Sequence, residues 1–304
     1  MKTLVYAFAA ILALAAQPAL AAQGKRGPAN NRGAESRGVE SRNPEARGPR
    51  EGKLTGLPEP VVTTIHALQR RGQIGDVDRT VQDGETVFEV EIIRGDVSRT
   101  YTLDAEGVVL SDEIFPEEVP AAALAAINAE AAGGKLESIF RSTDDGQFVY
   151  DVEIAKDRKT ISATFSTTGR LIGRQIALAD CPTKIQAAVK AQLNGGKLGP
   201  LFRGTDPDGD QTYYGASIRS GRARWFTLDE DGELSGEEEK IAWAEVPPPV
   251  QQAIAQRLGG TDHLRVLRVK DGTTAKFDVL ATKGAKTSLF SLTPDGKIVS
   301  LENQ

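Results

Sequence analysis

Apolar and polar positions along the chain recur four times, at spacings of 62, 62 and 65 residues between successive prolines. Each recurrence opens where an apolar residue or cysteine precedes a proline: Leu57-Pro58, Val119-Pro120, Cys181-Pro182 and Val246-Pro247. Apolar or small residues follow three and seven positions after each proline, which predicts a helix entered through its first turn. Glycines at Gly72, Gly133, Gly195 and Gly259 predict where each helix ends.

Each predicted helix is followed by stretches that alternate between apolar and polar residues, as strands do. The second stretch alternates most clearly, with apolar positions at Phe88-Val90-Ile92, Tyr150-Val152-Ile154, Tyr214-Ala216-Ile218 and Phe277-Val279-Ala281. A third strand, a turn containing glycine and a short fourth strand follow. We therefore predict an α+β fold of four tandem units, each a helix followed by a four-stranded antiparallel sheet with one apolar face.

The predicted units cover residues 57–115, 116–178, 179–242 and 243–304. One unit of this length is close to the lower size limit for an independent fold, because a small domain buries a small fraction of its surface. We therefore expect neighbouring units to dock against each other.

The N-terminal residues 1–21 have the order of a secretory signal peptide. Lys2 precedes an apolar stretch over residues 4–16, and Ala19-Leu20-Ala21 supplies the small residues of a cleavage site. The stretch is short for a membrane span, and no later segment approaches about 20 apolar residues. The sequence predicts an exported protein, periplasmic or extracellular, without a transmembrane segment.

Residues 22–56 form a predicted disordered tail rich in Arg, Gly and Glu, in which Arg32, Arg37, Arg42 and Arg47 recur every five residues. The tail has eight basic and four acidic residues and few large apolar ones, so it cannot bury enough apolar surface to order itself. It is either a solvated spacer or a contact to an anionic surface. The net charge of -5 for the whole chain argues against nucleic acid as the main partner.

The proline-led helix, the aromatic-x-Val-x-Ile strand and the glycine turn before the last strand resemble the PepSY-like family. The resemblance is closer to its secreted, beta-lactamase-inhibitor-like branch, and it covers about residues 57–301. The inhibitor fold is itself a tandem of helix plus four-stranded sheet, so the resemblance implies a concave surface that could hold another protein. The matching residues are core and turn positions, so it implies no inhibitory residue.

Residues that could carry catalysis or bind a metal are sparse. His66 and His263 fall at different places in the repeat, and Cys181 stands where the other units have Leu or Val. None of the three has an evident partner base, so we predict no enzyme activity, cofactor or metal. Asp206, Asp208 and Asp210 could supply calcium ligands, but lack the glutamate of an EF-hand loop and favour a polar hairpin turn.

Four arginines stand twenty-one residues after the four prolines, on the first predicted strand of each unit: Arg79, Arg141, Arg203 and Arg268. One interpretation is a row that pairs with acidic residues of the second strand, such as Glu89, Asp151 and Asp278. The other is a basic stripe that binds an acidic partner.

Tyr213 and Trp225 distinguish the third unit from the others. They stand where other units have Val, Thr or Ser, on the face predicted to lie opposite the apolar one. Exposed aromatic residues are common anchors at protein interfaces, so we predict that this pair binds a partner. Alternatively, the pair is buried where units dock, and Trp243 joins it there.

The sequence therefore favours an exported, non-catalytic protein-binding module, and more specifically an inhibitor of an extracytoplasmic enzyme. A divalent-cation-binding envelope protein is the alternative.

Overall fold

The computed structural model of the chain describes residues 54–303, except residues 71, 83, 145, 146, 158, 207, 261, 262, 272 and 273. The helices are α1 (Glu59–Gln69), α2 (Ala121–Glu130), α3 (Thr183–Gln192) and α4 (Pro248–Leu258). The strands between α1 and α3 are β1 (Gln73–Gln82), β2 (Glu85–Arg94), β3 (Val97–Asp104), β4 (Val109–Glu113), β5 (Lys135–Asp144), β6 (Gln147–Lys156), β7 (Lys159–Ser166) and β8 (Leu171–Gln175). The strands after α3 are β9 (Lys197–Thr205), β10 (Gln211–Arg219), β11 (Arg222–Leu228), β12 (Leu234–Ile241), β13 (Leu264–Asp271), β14 (Thr274–Lys283), β15 (Lys286–Leu292) and β16 (Ile298–Asn303).

All of these strands belong to one antiparallel sheet, in which β1 to β16 follow one another in chain order. The predicted fold of four tandem units, each with its own four-stranded sheet, is therefore wrong. The sheet continues past α2, α3 and α4 because β4 pairs with β5, β8 with β9 and β12 with β13. These three junctions give hydrogen-bond partners to backbone groups that separate sheets would leave at open edges. The unit boundaries given above remain a prediction.

The helices pack on one face of the sheet, which we call the helix-bearing face. Pro58, Pro120, Pro182 and Pro247 stand at the N-caps of the four helices. Each helix covers its own apolar core on the strands that follow it: α1, for example, buries Val61 and Ile65 against Phe88, Val90 and Leu103. The helical spacing of apolar residues is thus explained by packing on the sheet.

The turn before β4 shows why glycine recurs there. Gly107 has a φ of +77°, and a Cβ atom on it would lie 2.5 Å from the Pro60 carbonyl oxygen in the first turn of α1. Thr64 of the same helix donates a hydrogen bond of 2.7 Å to the Gly107 carbonyl oxygen. Glycine therefore lets the turn pack directly against the helix.

The opposite face, here called the inner face, is buried because the sheet curls on itself. Val108 and Leu110 pack with Leu280 and Leu289 of β14 and β15. The residues expected on the polar side of the third strands, Thr102, Thr164, Thr227 and Ser291, are all buried. The polar face of the strands is therefore an interior surface and not a solvent-facing one.

The register of β10 differs from the predicted one. Tyr213 is paired with Leu228 and faces α3, so Tyr214, Ala216 and Ile218 lie on the inner face. The prediction that these three line the helix-bearing core is wrong, because a shift of one residue moves every side chain to the other face. Gly215 takes a core position instead, where a Cβ atom would lie 2.9 Å from the Phe226 ring.

The predicted signal peptide, residues 1–21, and residues 22–53 of the predicted disordered tail lie outside the described residues. Leu54, near the end of that tail, packs against the core under α1. No helix in the described part of the chain has the length and apolar character needed to span a membrane.

Candidate partner-binding surfaces

The predicted aromatic pair is buried and divided between the two faces of the sheet. Tyr213 is 2% exposed and packs with Cys181, Ile185 and Phe226 under α3. Trp225 is 4% exposed on the inner face, where it stacks on Tyr214 with ring centroids 4.8 Å apart. The prediction that the two rings form one outward-facing pair is therefore wrong, and their role in partner binding stays an untested prediction.

Trp243 does not join either ring. It lies in a single 3-10 turn, Trp243–Glu245, between β12 and α4, and its side chain is 36% exposed. Its carbonyl oxygen accepts a hydrogen bond of 2.7 Å from the Gln251 side chain of α4. This tryptophan packs on the outside of the fold.

In the described residues the inner face is largely covered by the chain itself, where Glu85, Trp225 and Arg265 help to line a small cavity of about 20 Å³. Glu85 of β2 binds Arg265 of β13 at 2.7 Å, and Lys240 of β12 binds Glu106 at 2.8 Å. Burial raises the pKa of Asp104 beside them to about 6, although Arg265 and Lys240 both lower it. This cluster links β2, β3 and the turn before β4 to β12 and β13 across the inner face.

Asp151 of β6 is a second buried carboxylate on the inner face. It accepts hydrogen bonds from the hydroxyl groups of Ser142 and Thr164, the latter at 2.7 Å. Burial nevertheless raises the pKa of Asp151 to about 6. The predicted pairing of this residue with the arginine row is wrong, because the arginines lie on the helix-bearing face.

Two members of the arginine row form ion pairs across a junction. Arg141 of β5 faces Asp112 of β4, with its Nε and Nη2 atoms 3.1 and 2.8 Å from the two carboxylate oxygens. Arg268 of β13 likewise faces and binds Glu239 of β12. The acids therefore come from the strand before each helix, not from the second strand of the predicted units.

Arg203 of β9 holds the corresponding place at the β8–β9 junction, where it faces Arg174 of β8. Arg174 binds Glu130 at the end of α2, whereas Arg203 is exposed and has no ion pair within the described residues. Arg79 is also exposed, on edge strand β1, where no strand covers it. Within the described residues, the basic-stripe interpretation therefore remains open for Arg203 and Arg79.

Behind the end of α1 lies a groove, here called the arginine groove. Its cationic side chains surround an apolar floor, and they are Arg70, Arg94, Arg99 and Arg141 around Leu68, Tyr101 and Val109. Arg99 binds Glu118 at 2.7 Å and lies over the Phe115 ring at 5.3 Å. The guanidinium groups of Arg99 and Arg141 are thereby held in place.

A second groove lies at the equivalent position behind α3. It is lined by Arg219, Arg222, Arg224 and Arg268, together with the acidic residues Glu239 and Glu245. Arg224 binds Glu237 and donates a hydrogen bond of 2.6 Å to the Gln192 carbonyl oxygen at the end of α3. With Lys240, its lining holds five basic and two acidic residues, against four basic residues and Asp112 at the arginine groove. The two grooves therefore differ in the tyrosine of the floor and not in net charge.

The residues considered for catalysis or metal binding are not brought together. Burial raises the pKa of the Cys181 thiol, with Asp180 adding to the effect. Asp206 and Asp210 lie in the polar turn that the sequence predicted between β9 and β10, and they hydrogen-bond to each other there. No group of three or more His, Cys, Asp or Glu side chains in the described residues could hold a metal ion.

The chain matches no protein-family model and no curated protein. Among solved structures it is similar to a proposed periplasmic protein from Bacteroides eggerthii, at 17% identity and a TM-score of 0.35 over 40% of this chain and 88% of that one. It is also similar to a DUF2874 family protein from Bacteroides uniformis, at 19% identity and a TM-score of 0.34 over 40% of this chain and 89% of that one. A BLIP-like protein from Bacteroides fragilis has 16% identity and a TM-score of 0.30 over 40% of this chain and 85% of its own.

At TM-scores of 0.30 to 0.35 and identities below 20%, these neighbours assign neither a compartment nor a family to this chain. The PepSY-like assignment and the fourfold repeat remain predictions. Likeness at this level assigns no role to any residue.

Sequence reasoning found Arg203 but missed Arg174, Arg94 and Arg99. A signal for Arg94 was present, because Arg94 and Arg219 both end the second strand after a helix. The role of Arg174 was hidden, since its neighbour β9 was expected to belong to another sheet.

Proposed function

We propose that the chain is an exported, non-catalytic protein-binding module that binds its partner at the arginine groove. The observation that carries this proposal is the combination of four guanidinium groups with an apolar floor containing Tyr101. Arginine and tyrosine are enriched where interfaces gain most of their binding energy.

The groove suits binding because part of it is already ordered. Arg141 is fixed by two hydrogen bonds to Asp112, and Arg99 by its ion pair with Glu118. A partner therefore does not need to immobilise these long side chains, which lowers the entropy cost of association. The groove is also a local excess of positive charge on a chain of net charge -5, which favours a locally acidic partner.

The finer form of this proposal is inhibition of an extracytoplasmic enzyme. Its support is the signal peptide predicted at residues 1–21, which would carry the protein to the compartment of such a target. Inhibition would follow if the partner's active site were covered by the bound protein.

A crosslinking pull-down from the envelope fraction of the source cell tests the proposal. Wild-type protein should retain one specific protein, and the double substitution Arg70→Glu with Arg94→Glu should abolish its capture. The matched control reverses two exposed lysines outside the groove, Lys190→Glu with Lys197→Glu, and should retain capture. Equal capture by wild type and the arginine double variant would show that the groove is not the binding site.

The alternative function, binding of divalent cations, has no specific site in the described residues to support it. Calorimetric titration with calcium tests it directly. A saturable heat at millimolar calcium would favour it, and Asp208→Asn would then show whether the β9–β10 turn is responsible.

A further inference from the structure

The three junctions of the sheet provide an internal comparison at one structural position. In each, the arginine of the strand after the helix faces a residue of the strand before it on the helix-bearing face. The facing residue is Asp112 at the first junction and Glu239 at the third. At the second it is Arg174, so two like charges face each other there.

Like charges directly opposite in an antiparallel pair destabilise the pair, since their Cβ atoms are only about 4.5–5.5 Å apart. Glu130 neutralises Arg174 from one side. Asp180 and Arg203 both lie near Cys181, since Asp180 raises and Arg203 lowers the pKa of its thiol. No ion pair joins Asp180 to Arg203 within the described residues. The arrangement therefore holds one guanidinium group without an acid within the described residues.

Arg174 has an unsatisfied polar group of its own. Its Nε–H is buried and lacks a hydrogen-bond partner in the described residues, although the Nη2 atom of the same side chain binds Glu130. A buried donor without an acceptor is costly, and native proteins rarely leave one. The missing acid opposite Arg203 calls for a group that carries negative charge, whereas the buried Nε–H of Arg174 has no surface open to an incoming group.

We propose that Arg174 and Arg203 bind a carboxylate from an acidic segment of the protein partner, which supplies the negative charge that Asp112 and Glu239 supply at the other two junctions. A planar carboxylate fits the parallel N–H donors of a guanidinium group. The inference rests on the proposed function only for the source of this carboxylate, because the site itself is formed by β8 and β9.

The test measures binding of a fluorescently labelled octaglutamate peptide to the mature chain by anisotropy at low salt. Arg203→Gln should weaken binding at least fivefold. Arg79→Gln, which removes another exposed arginine of the same row with no arginine opposite, should change it less than twofold. An octaglutamine peptide should not bind, and added salt should weaken octaglutamate binding.

Competition by glutarate and by inorganic phosphate separates the possible ligands. Glutarate should displace the peptide from wild type at a lower concentration than phosphate does. If phosphate competes better, or if Arg203→Gln and Arg79→Gln weaken binding equally, the carboxylate site is wrong. Octaglutamate could bind in a way that depends on Arg203 while the wild-type chain captures no protein. That result would contradict the proposed function and leave the carboxylate site standing.

Discussion

The β4–β5 and β8–β9 junctions join neighbouring parts of the same sheet by different means. At β4–β5 the registered pairing is short, and the ion pair of Asp112 with Arg141 supports it on the helix-bearing face. At β8–β9 the side chains on that face are two arginines. The same position in the fold therefore holds an ion pair at one junction and two like charges at the other.

The inner face explains why the β8–β9 junction tolerates its arginines. Ile172 of β8 and Phe202 of β9 lie there in one apolar cluster with Tyr214 and Trp225. A Cβ atom on Gly204 of β9 would clash with the Ile172 carbonyl oxygen of β8, so glycine lets the two strands meet closely. Apolar burial on the inner face thus replaces the ion pair that the first junction has.

Removal of the Trp225 side chain should cause the largest loss of stability at the β8–β9 junction. Trp225→Ala should lower the free energy of unfolding by about 3–5 kcal/mol, because it leaves a large cavity behind the β8–β9 junction. The measurement is urea unfolding followed by circular dichroism. Trp243→Ala, which truncates an exposed tryptophan, should change stability by less than about 1 kcal/mol, and a similar loss in both variants would contradict the account of this junction.

Reversal of Arg141 should weaken the first junction. Arg141→Glu replaces the Asp112 ion pair by two facing acids, one of them buried, and should cost about 2–4 kcal/mol. The burial that raises the pKa of Asp112 despite Arg141 makes the unpaired carboxylate expensive. Arg79→Glu on the open edge serves as control and should cost less than about 0.5 kcal/mol.

The buried carboxylate of Asp151 should make the stability of the fold depend on pH. The pKa of Asp151 is about 6 in the folded chain, above its ordinary value of 3.8, so the folded state keeps a proton that the unfolded state loses between these values. Stability from this group therefore falls as the pH rises from about 4 to 6, by roughly 1–3 kcal/mol.

Asp151→Asn should remove that fall, and its stability relative to wild type should increase over the same pH range. Thermal unfolding at pH 4, 5, 6 and 7 measures the difference between the two proteins. A difference that is constant with pH would mean that Asp151 is not the titrating group.

Reversal of Arg203 should have the smallest effect and the opposite sign. Arg203→Glu converts the β8–β9 junction to the acid–arginine arrangement of the other two and should stabilise the fold by about 0.2–1 kcal/mol. A melting temperature below that of wild type would show that Arg203 already contributes to folding.

The sequence predicted the helices, a proline near the start of each and the glycine turns, because local patterns decide these features. It did not predict the single sheet, since the pairing of β8 with β9 joins residues separated by a helix and has no local signal. The face of Tyr213 was missed because the connection between β9 and β10 shifts the register. Arg203 was visible from the repeat, but its neighbour Arg174 could be identified only from the strand pairing.

The measurement that tests the central claim most directly is a pair of double-mutant cycles on stability. One cycle uses Arg174→Gln and Arg203→Gln, and the other uses Asp112→Asn and Arg141→Gln. The account predicts a repulsive coupling of about 0.2–1 kcal/mol between Arg174 and Arg203, and an attractive coupling between Asp112 and Arg141. An attractive or absent coupling between the two arginines would contradict it.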